Sequence, residues 1–214
     1  MEDTHLIWNE TSRKDLFKNR IFTIQERACV SPAGEAGMFS VMDCPDWAIV
    51  IPLLDAPGGR ERAGSLEAGG LEATGFQASG FFVMVRQWRH GPQALSLEFP
   101  GGVFEKGEEP EAAAARELLE ETAYAPGRIL KLGEMSPNPA IMTNRVHFFL
   151  AEDLRDTGKR NLDADEFVDV EIIPVETVLR GMGKPPYIHS LMAAALMLYV
   201  GRGRNLWGLR PTNS

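Results

Sequence analysis

The chain has 214 residues and a mass of 23.6 kDa, enough for one domain with additions or for two small ones. With 44% hydrophobic and 24% charged residues it has the composition of an ordinary globular protein. A net charge of -8 with no basic patch argues against broad nonspecific binding to nucleic acid, and two cysteines, Cys29 and Cys44, give neither a disulfide framework nor a metal-binding spacing.

The N-terminus, MEDTHLIWNETSRKD, lacks a basic start followed by an apolar run, so no secretory leader is expected. Residues 21–30 and 38–42 read as strands around a SPAG turn at 31–34. The continuous apolar runs WAIVIPLL (47–54) and FFVMVRQWR (81–89) fit central strands covered on both faces. Between them, residues 55–80 are rich in glycine and read as an unusually long connection, with a pocket lid as one role for it. LSLEFPGG (95–102) reads as a short strand running into a Gly101–Gly102 turn, where glycine lets the backbone approach a ligand. A helix follows over the segment beginning at Pro110, then strands at 128–134, 146–151 and 167–173, the last ended by Pro174. A short helix at 175–181 and a helix from about 187 to 200 complete the chain. Leu191, Ala194, Ala195 and Leu198 in the latter fall on one apolar face. The apolar stretch 191–200 is too short to cross a bilayer, and a cytoplasmic protein is expected. The tail from Gly203 reads as loosely ordered.

One segment carries the chemistry. Gly102, Glu108, Arg116, Glu117, Glu120 and Glu121 stand at the spacing G-x5-E-x7-R-E-x-x-E-E. Pro110 suits the first helical turn, where no intrahelical N–H is needed, and Ala112 to Ala115 are strong helix formers. Glu117 lies three residues from Glu120 and four from Glu121, so the three carboxylates share one face. Like charges so placed destabilise an isolated helix by roughly 0.2–0.5 kcal/mol per pair, and a cation would offset them. Hard divalent ions such as Mg2+ or Mn2+ take oxygen ligands and bridge phosphate oxygens. Arg116 supplies a forked guanidinium that orients a carboxylate.

This stretch resembles the signature of the Nudix hydrolases, which cut a diphosphate linked to a nucleoside. Ala123 stands where the family pattern has glycine, and Tyr124 fills its last apolar position. The resemblance extends from about residue 21 to 200 and is nearest to the branch acting on ADP-ribose and other ADP-sugars. It implies an α/β (α+β) chain with the Nudix fold, an α/β/α sandwich around a mixed sheet, preceded by an N-terminal antiparallel strand extension. The implied division is an extension at 1–45, serving as a dimer arm, a hydrolase domain at 46–202 and a tail at 203–214. The expected partners are a nucleotide-sugar and a second copy of the chain, with no nucleic acid and no membrane.

Residue by residue, the resemblance assigns metal binding to Glu117, Glu121, Glu120 and the carbonyl of Gly101. Glu98 matches a glutamate of the branch's E-x-P-x-G pattern, although a strand-edge charge is an equal reading of it. Arg89, in Q-W-R at 87–89, matches the arginine that contacts the diphosphate, with Arg86 in reserve. Pro139, fifteen residues past Tyr124, matches a proline shaping a loop near the terminal ribose, although Ala140 follows it where glycine is commoner. Glu166, with Asp165 as runner-up, matches the base or an additional metal ligand, and Glu120 is the second choice of base. Phe39 corresponds to an adenine-stacking position, and Trp8 and Trp47 are the other aromatics. Two alternatives stand beside hydrolysis of ADP-ribose. One is a Nudix hydrolase of GDP-mannose, UDP-glucose or nucleoside triphosphates; the other is a non-catalytic ADP-ribose-binding module.

Overall fold

The computed structural model describes residues 3–55, 79–162 and 166–203. The glycine-rich connection, Asp163 to Asp165 and the tail therefore lie outside the described residues, apart from Asp55, Ser79, Gly80 and Gly203. The chain separates into two compact units, Met1–Trp47 with Met135–Val146, and Ala48–Glu134 with His147–Ser214.

The first unit holds a short 3-10 turn, Thr4–Leu6, and an antiparallel meander of β1 (Asn9–Lys18), β2 (Thr23–Val30) and β3 (Ala36–Asp43). Two irregularities interrupt the β1–β2 register, between Glu10 and Ser12 and between Asp15 and Phe17. Every residue of β1 is exposed. The loop 135–146 joins this unit because its backbone bonds to the end of β3: Met42 N–H donates to the Ile141 carbonyl at 2.7 Å, and Thr143 N–H to Met42 at 3.1 Å.

The remaining strands are β4 (Trp47–Leu54), β5 (Phe81–Arg89), β6 (Ala94–Glu98), β7 (Gly101–Val103), β8 (Tyr124–Ala125), β9 (Arg128–Met135), β10 (Val146–Glu152), β11 (Arg155–Asp156) and β12 (Val168–Pro174). The helices are α1 (Pro110–Thr122), α2 (Val175–Gly181) and α3 (Ser190–Gly203). One seven-stranded sheet runs β12-β5-β4-β10-β9, with β6 paired to β5 and β7 to β4; β8 and β11 form a separate two-stranded ladder.

Strand alternation sends successive side chains to opposite faces and so assigns the two helical layers. Ala48 and Val50 of β4 pack with Phe149 and Ala151 of β10 against Ala113, Ala114 and Leu118 of α1. Leu53 is opposite Phe82 in the β4–β5 ladder, so Phe82 shares the face of the odd-numbered β4 residues. Its ring meets those of Phe99 and, in α3, Tyr199, with centroids 5.1 and 5.4 Å apart. Thus α1 covers one face and α3 the other. This is the α/β/α sandwich with a stranded N-terminal extension that the sequence implies. Among the described residues no helix is long and apolar enough to cross a membrane.

Several elements differ from expectation. Gly101 and Gly102 lie in β7, paired to β4, because a backbone without side chains at that point can close on its neighbour. The last helix begins at Ser190 because residues 184–189 bond among themselves and to β6. The strand β1 and the β8–β11 pair have no strong alternation to announce them.

Candidate active site

Helix α1 begins at Pro110, whose missing N–H costs nothing there, and stops at Ala123, which adopts the left-handed conformation with φ 66°. That conformation is strained for alanine, and three bonds from the following loop satisfy the helix end. The Thr157 N–H and hydroxyl donate to the Ala123 carbonyl at 2.9 and 2.8 Å, and Asn161 N–H donates to the Glu120 carbonyl at 3.1 Å. The chain that leads to Glu166 is thereby tied to the helix bearing the acidic cluster.

On the sheet-facing side of α1, Glu117 and Glu121 are only 8% and 4% exposed. Arg116 organises the carboxylates around them. Its guanidinium donates to both oxygens of Glu108 at 2.9 and 3.0 Å, to Glu117 at 2.9 Å, to Glu120 at 3.0 Å and to the Val103 carbonyl at 3.1 Å. Its bond to Glu108, first of all, holds that carboxyl below the usual carboxylate range. Glu121 instead accepts from the Gly101 backbone N–H at 3.0 Å.

Burial dominates the electrostatics of the two inner carboxyls. It pushes Glu121 up to about 8, a shift opposed by the Gly101 N–H and by Arg89 and reinforced by Glu117 and Glu166. Burial also raises Glu117, against the pull of Arg116 and with the push of Glu120 and Glu166. Glu166 therefore stands within electrostatic reach of both.

The glycines of β7 explain themselves sterically. A Cβ on Gly101 would run into the Ala48 carbonyl oxygen and come within 3.1 Å of Ile49 Cα. A Cβ on Gly102 would occupy the place of the Glu117 carboxylate, 2.6 Å from Cδ and 2.7 Å from Oε2. One glycine lets the strands pair; the other leaves room for an acid.

Beside this cluster, β5 and β6 carry a second polar pair. Glu98 is opposite Val85, on the α1 side of the sheet, and accepts a fork from Arg89: Nε at 2.9 Å and a terminal nitrogen at 2.5 Å. Burial acts to raise Glu98, yet the Arg89 fork and its charge, with His189 and the Ser96 hydroxyl, hold it below the usual range. Arg89 also interacts with Glu121, which ties this pair to the helix. Arg86 is not brought there. Strand alternation turns it to the opposite face, where it pairs with Glu171 of β12.

The structure thus gathers Gly101, Arg116, Glu117, Glu120, Glu121 and Glu166, with Arg89 and Glu98 alongside. Pro139 and Phe39 belong to the first unit. Phe39 is partly exposed and meets Trp8 edge-on at 5.2 Å, over Gly37, where a Cβ would press on both rings. Sequence reasoning passed over Thr157, whose only signal is a hydroxyl in a polar loop, and Ser96, which meets Glu98 only once the chain is folded.

Among the described residues no three acidic, histidine or cysteine side chains present their ligating atoms together, since Glu117 and Glu120 are turned to Arg116 and Glu121 to Gly101. The donor set nevertheless fits a divalent cation. It consists of hard oxygens, two of its carboxylates are buried against the preference of their charge, and the glycine strand beside them leaves space.

The NUDIX domain family matches residues 71–193, more than half of the chain, and the chain belongs to that family. The chain is 42% identical over 99 residues to an ADP-ribose pyrophosphatase of Bacillus subtilis (strain 168), covering 46% of this chain and 54% of that one. It is 33% identical over 127 residues to a GDP-mannose pyrophosphatase of Enterobacter sp. (strain 638), covering 55% of this chain and 65% of that one. The chain thus spans between about half and two thirds of the length of these curated relatives. A crystal structure of an ADP compounds hydrolase superimposes with a TM-score of 0.71 at 19% identity, covering 93% of this chain and 98% of that one; this likeness shows the fold.

Proposed function

We propose that the protein hydrolyses the diphosphate bond of a nucleoside diphosphate sugar in a reaction dependent on a divalent cation, with ADP-ribose giving AMP and ribose 5-phosphate. The observation that carries this reading is the buried pair Glu117–Glu121 beneath the glycine strand, with Arg116, Glu120 and Glu166 around it and Arg89 next to it. The relatives that act on ADP-ribose and GDP-mannose support the substrate class.

Glu117 and Glu121, with Glu120 and the Gly101 carbonyl, would hold the cation, Mg2+ or Mn2+. When bound, it neutralises diphosphate charge and lowers the pKa of a coordinated water. Arg116 holds Glu117 and Glu120 in place through its guanidinium bonds to both. Arg89, braced by Glu98, directs a guanidinium to a phosphate oxygen. Glu166 takes the proton of the attacking water, with Glu120 as the second choice. Gly102 leaves space for these groups to meet.

We read 1–45 as a dimer arm and 46–202 as the hydrolase domain of a cytoplasmic homodimer. The fully exposed β1, with Leu16 and Phe17 among its outward residues, supports a second copy as its cover. A light-scattering mass near that of one chain, 23.6 kDa, would count against it. Phe39, with Trp8 against it, is the base-stacking choice, and Pro139 shapes the sugar loop.

The test is release of AMP, GMP or UMP from ADP-ribose, GDP-mannose and UDP-glucose with Mg2+ or Mn2+. AMP release that is fastest from ADP-ribose and abolished by Glu121→Gln supports the reading. Preferential GMP release would transfer the substrate to GDP-mannose, and binding of ADP-ribose without any turnover would make the protein a sensing module.

A further inference from the structure

Glu166 stands between two sets of bonds that the function argued so far does not use. Before it, the chain leaves β11, which is paired to β8, and runs along the end of α1. Gly158, at φ 71°, donates its N–H to the Asp156 carboxylate at 2.8 Å and turns the chain there. The Thr157 bonds to the Ala123 carbonyl and the Asn161 bond to the Glu120 carbonyl hold this stretch against the helix. Arg160 lies within it. One of its terminal nitrogens donates to the Val168 carbonyl at 2.9 Å, eight residues further along the chain.

Val168 is the first residue of β12, opposite Gln87. In the sheet order β12 is outermost, with β5 as its one neighbouring strand, so its start is braced from one side only. The same strand meets the acidic helix. Val170 is opposite Val85 and Val85 opposite Glu98, which turns Val168 and Val170 to the α1 side. The strand and α1 approach within 8 Å between Cα atoms. Glu166 is two positions before Val168, so its reach depends on where the start of β12 is held.

We infer that Arg160 is a positioning residue for Glu166: its bond to the Val168 carbonyl couples the foot of β12 to the stretch anchored on α1 and fixes the place from which Glu166 serves the attacking water. This inference rests on the base role proposed for Glu166. A base must stand within hydrogen-bond reach of the proton it takes, so a displaced Glu166 lowers turnover and leaves substrate affinity in place.

Arg160→Met keeps most of the side-chain stem and removes every donor, at an exposed position. The expected result is a Tm within about 2 °C of wild type, a KM for ADP-ribose changed less than about threefold and a kcat lowered about tenfold, the scale of one lost hydrogen bond from a charged donor. Arg160→Lys restores kcat to within about threefold, because a single nitrogen makes the bond; a guanidinium that gripped the substrate itself would raise KM and fail this rescue. In a Glu166→Gln background, Arg160→Met adds no further loss. Unchanged kcat in Arg160→Met, a KM raised about tenfold, or a second full loss on top of Glu166→Gln overturns the inference. Wild-type kcat in Glu166→Gln removes the base role and the inference together.

Hydrogen exchange of backbone amides supplies a readout independent of turnover. Exchange at the start of β12 should quicken in Arg160→Met, stay near wild type in Arg160→Lys and leave α1 unchanged in both. Wild type that cleaves no nucleotide-sugar, with exchange responding in this way, refutes the proposed function alone. Equal exchange at the start of β12 in wild type and Arg160→Met, with cleavage intact, refutes the role of Arg160 alone.

Discussion

Two adjacent glycines in β7 should fail in opposite ways when each is given a methyl group. In Gly102→Ala the new Cβ falls 2.6 Å from Glu117 Cδ, and an ordinary contact needs 3.4 Å, so the carboxylate must retreat by about 1 Å. It sits at the end of a flexible side chain and can do so, losing the 2.9 Å bond from Arg116. The expected cost is under about 1 kcal/mol of stability but about 100-fold in kcat, because an ångström of misplacement at the reacting centre is enough for that loss. In Gly101→Ala the obstacle is the Ala48 carbonyl, with Ile49 Cα at 3.1 Å, and backbone in a central strand cannot step aside. The expected cost is about 3 kcal/mol, roughly 6–12 °C in Tm for a chain of this size. Thermal unfolding beside nucleotide release from ADP-ribose measures both. Gly102→Ala with undiminished kcat, or Gly101→Ala melting like wild type, would refute the steric reasoning.

The acidic cluster predicts a pH dependence of stability. The folded-state pKa of Glu121, about 8, lies above its ordinary value of 4.5, so the native metal-free protein keeps a proton that the unfolded chain releases. That contribution is complete below about pH 4.5 and is lost as pH rises through about 8, a loss of a few kcal/mol, which added Mg2+ recovers with release of protons. Denaturant titrations across this window should show the slope, and Glu121→Gln should flatten it while abolishing turnover. Arg116→Ala strips one donor group from Glu108, Glu117 and Glu120 together; it should cost about 2 kcal/mol and most activity, and Arg116→Lys should recover little because an ammonium cannot reproduce the fork. Chemical denaturation and kinetics of both variants check this. Thr157→Val removes the hydroxyl bond to Ala123 at the end of α1 and should lower stability by about 1 kcal/mol in the same assay.

Much of this protein is legible in short stretches of chain. Apolar runs announce β4 and β5, and Pro110 with its alanines announces α1, since helix period, first-turn proline and continuous burial are properties of neighbouring residues. The spacing of the acids on α1 is local in the same sense. Strand β1 escaped because its residues are exposed throughout and carry no buried stripe for a pattern to reveal. Register is the other limit. Whether Arg89 or Arg86 faces the acidic helix depends on the β5–β6 and β5–β12 pairings, which turn adjacent positions to opposite faces.

What the sequence determined by itself is the identity and periodicity of the acidic helix, because those follow from residues within a few turns of one another. Only the tertiary structure decided that Glu117 and Glu121 are buried, that Gly101 and Gly102 touch strand and carboxylate respectively, and that Arg89 forks onto Glu98. Those contacts join residues tens of positions apart, and desolvation arises only when the sheet and its covering helices exclude water.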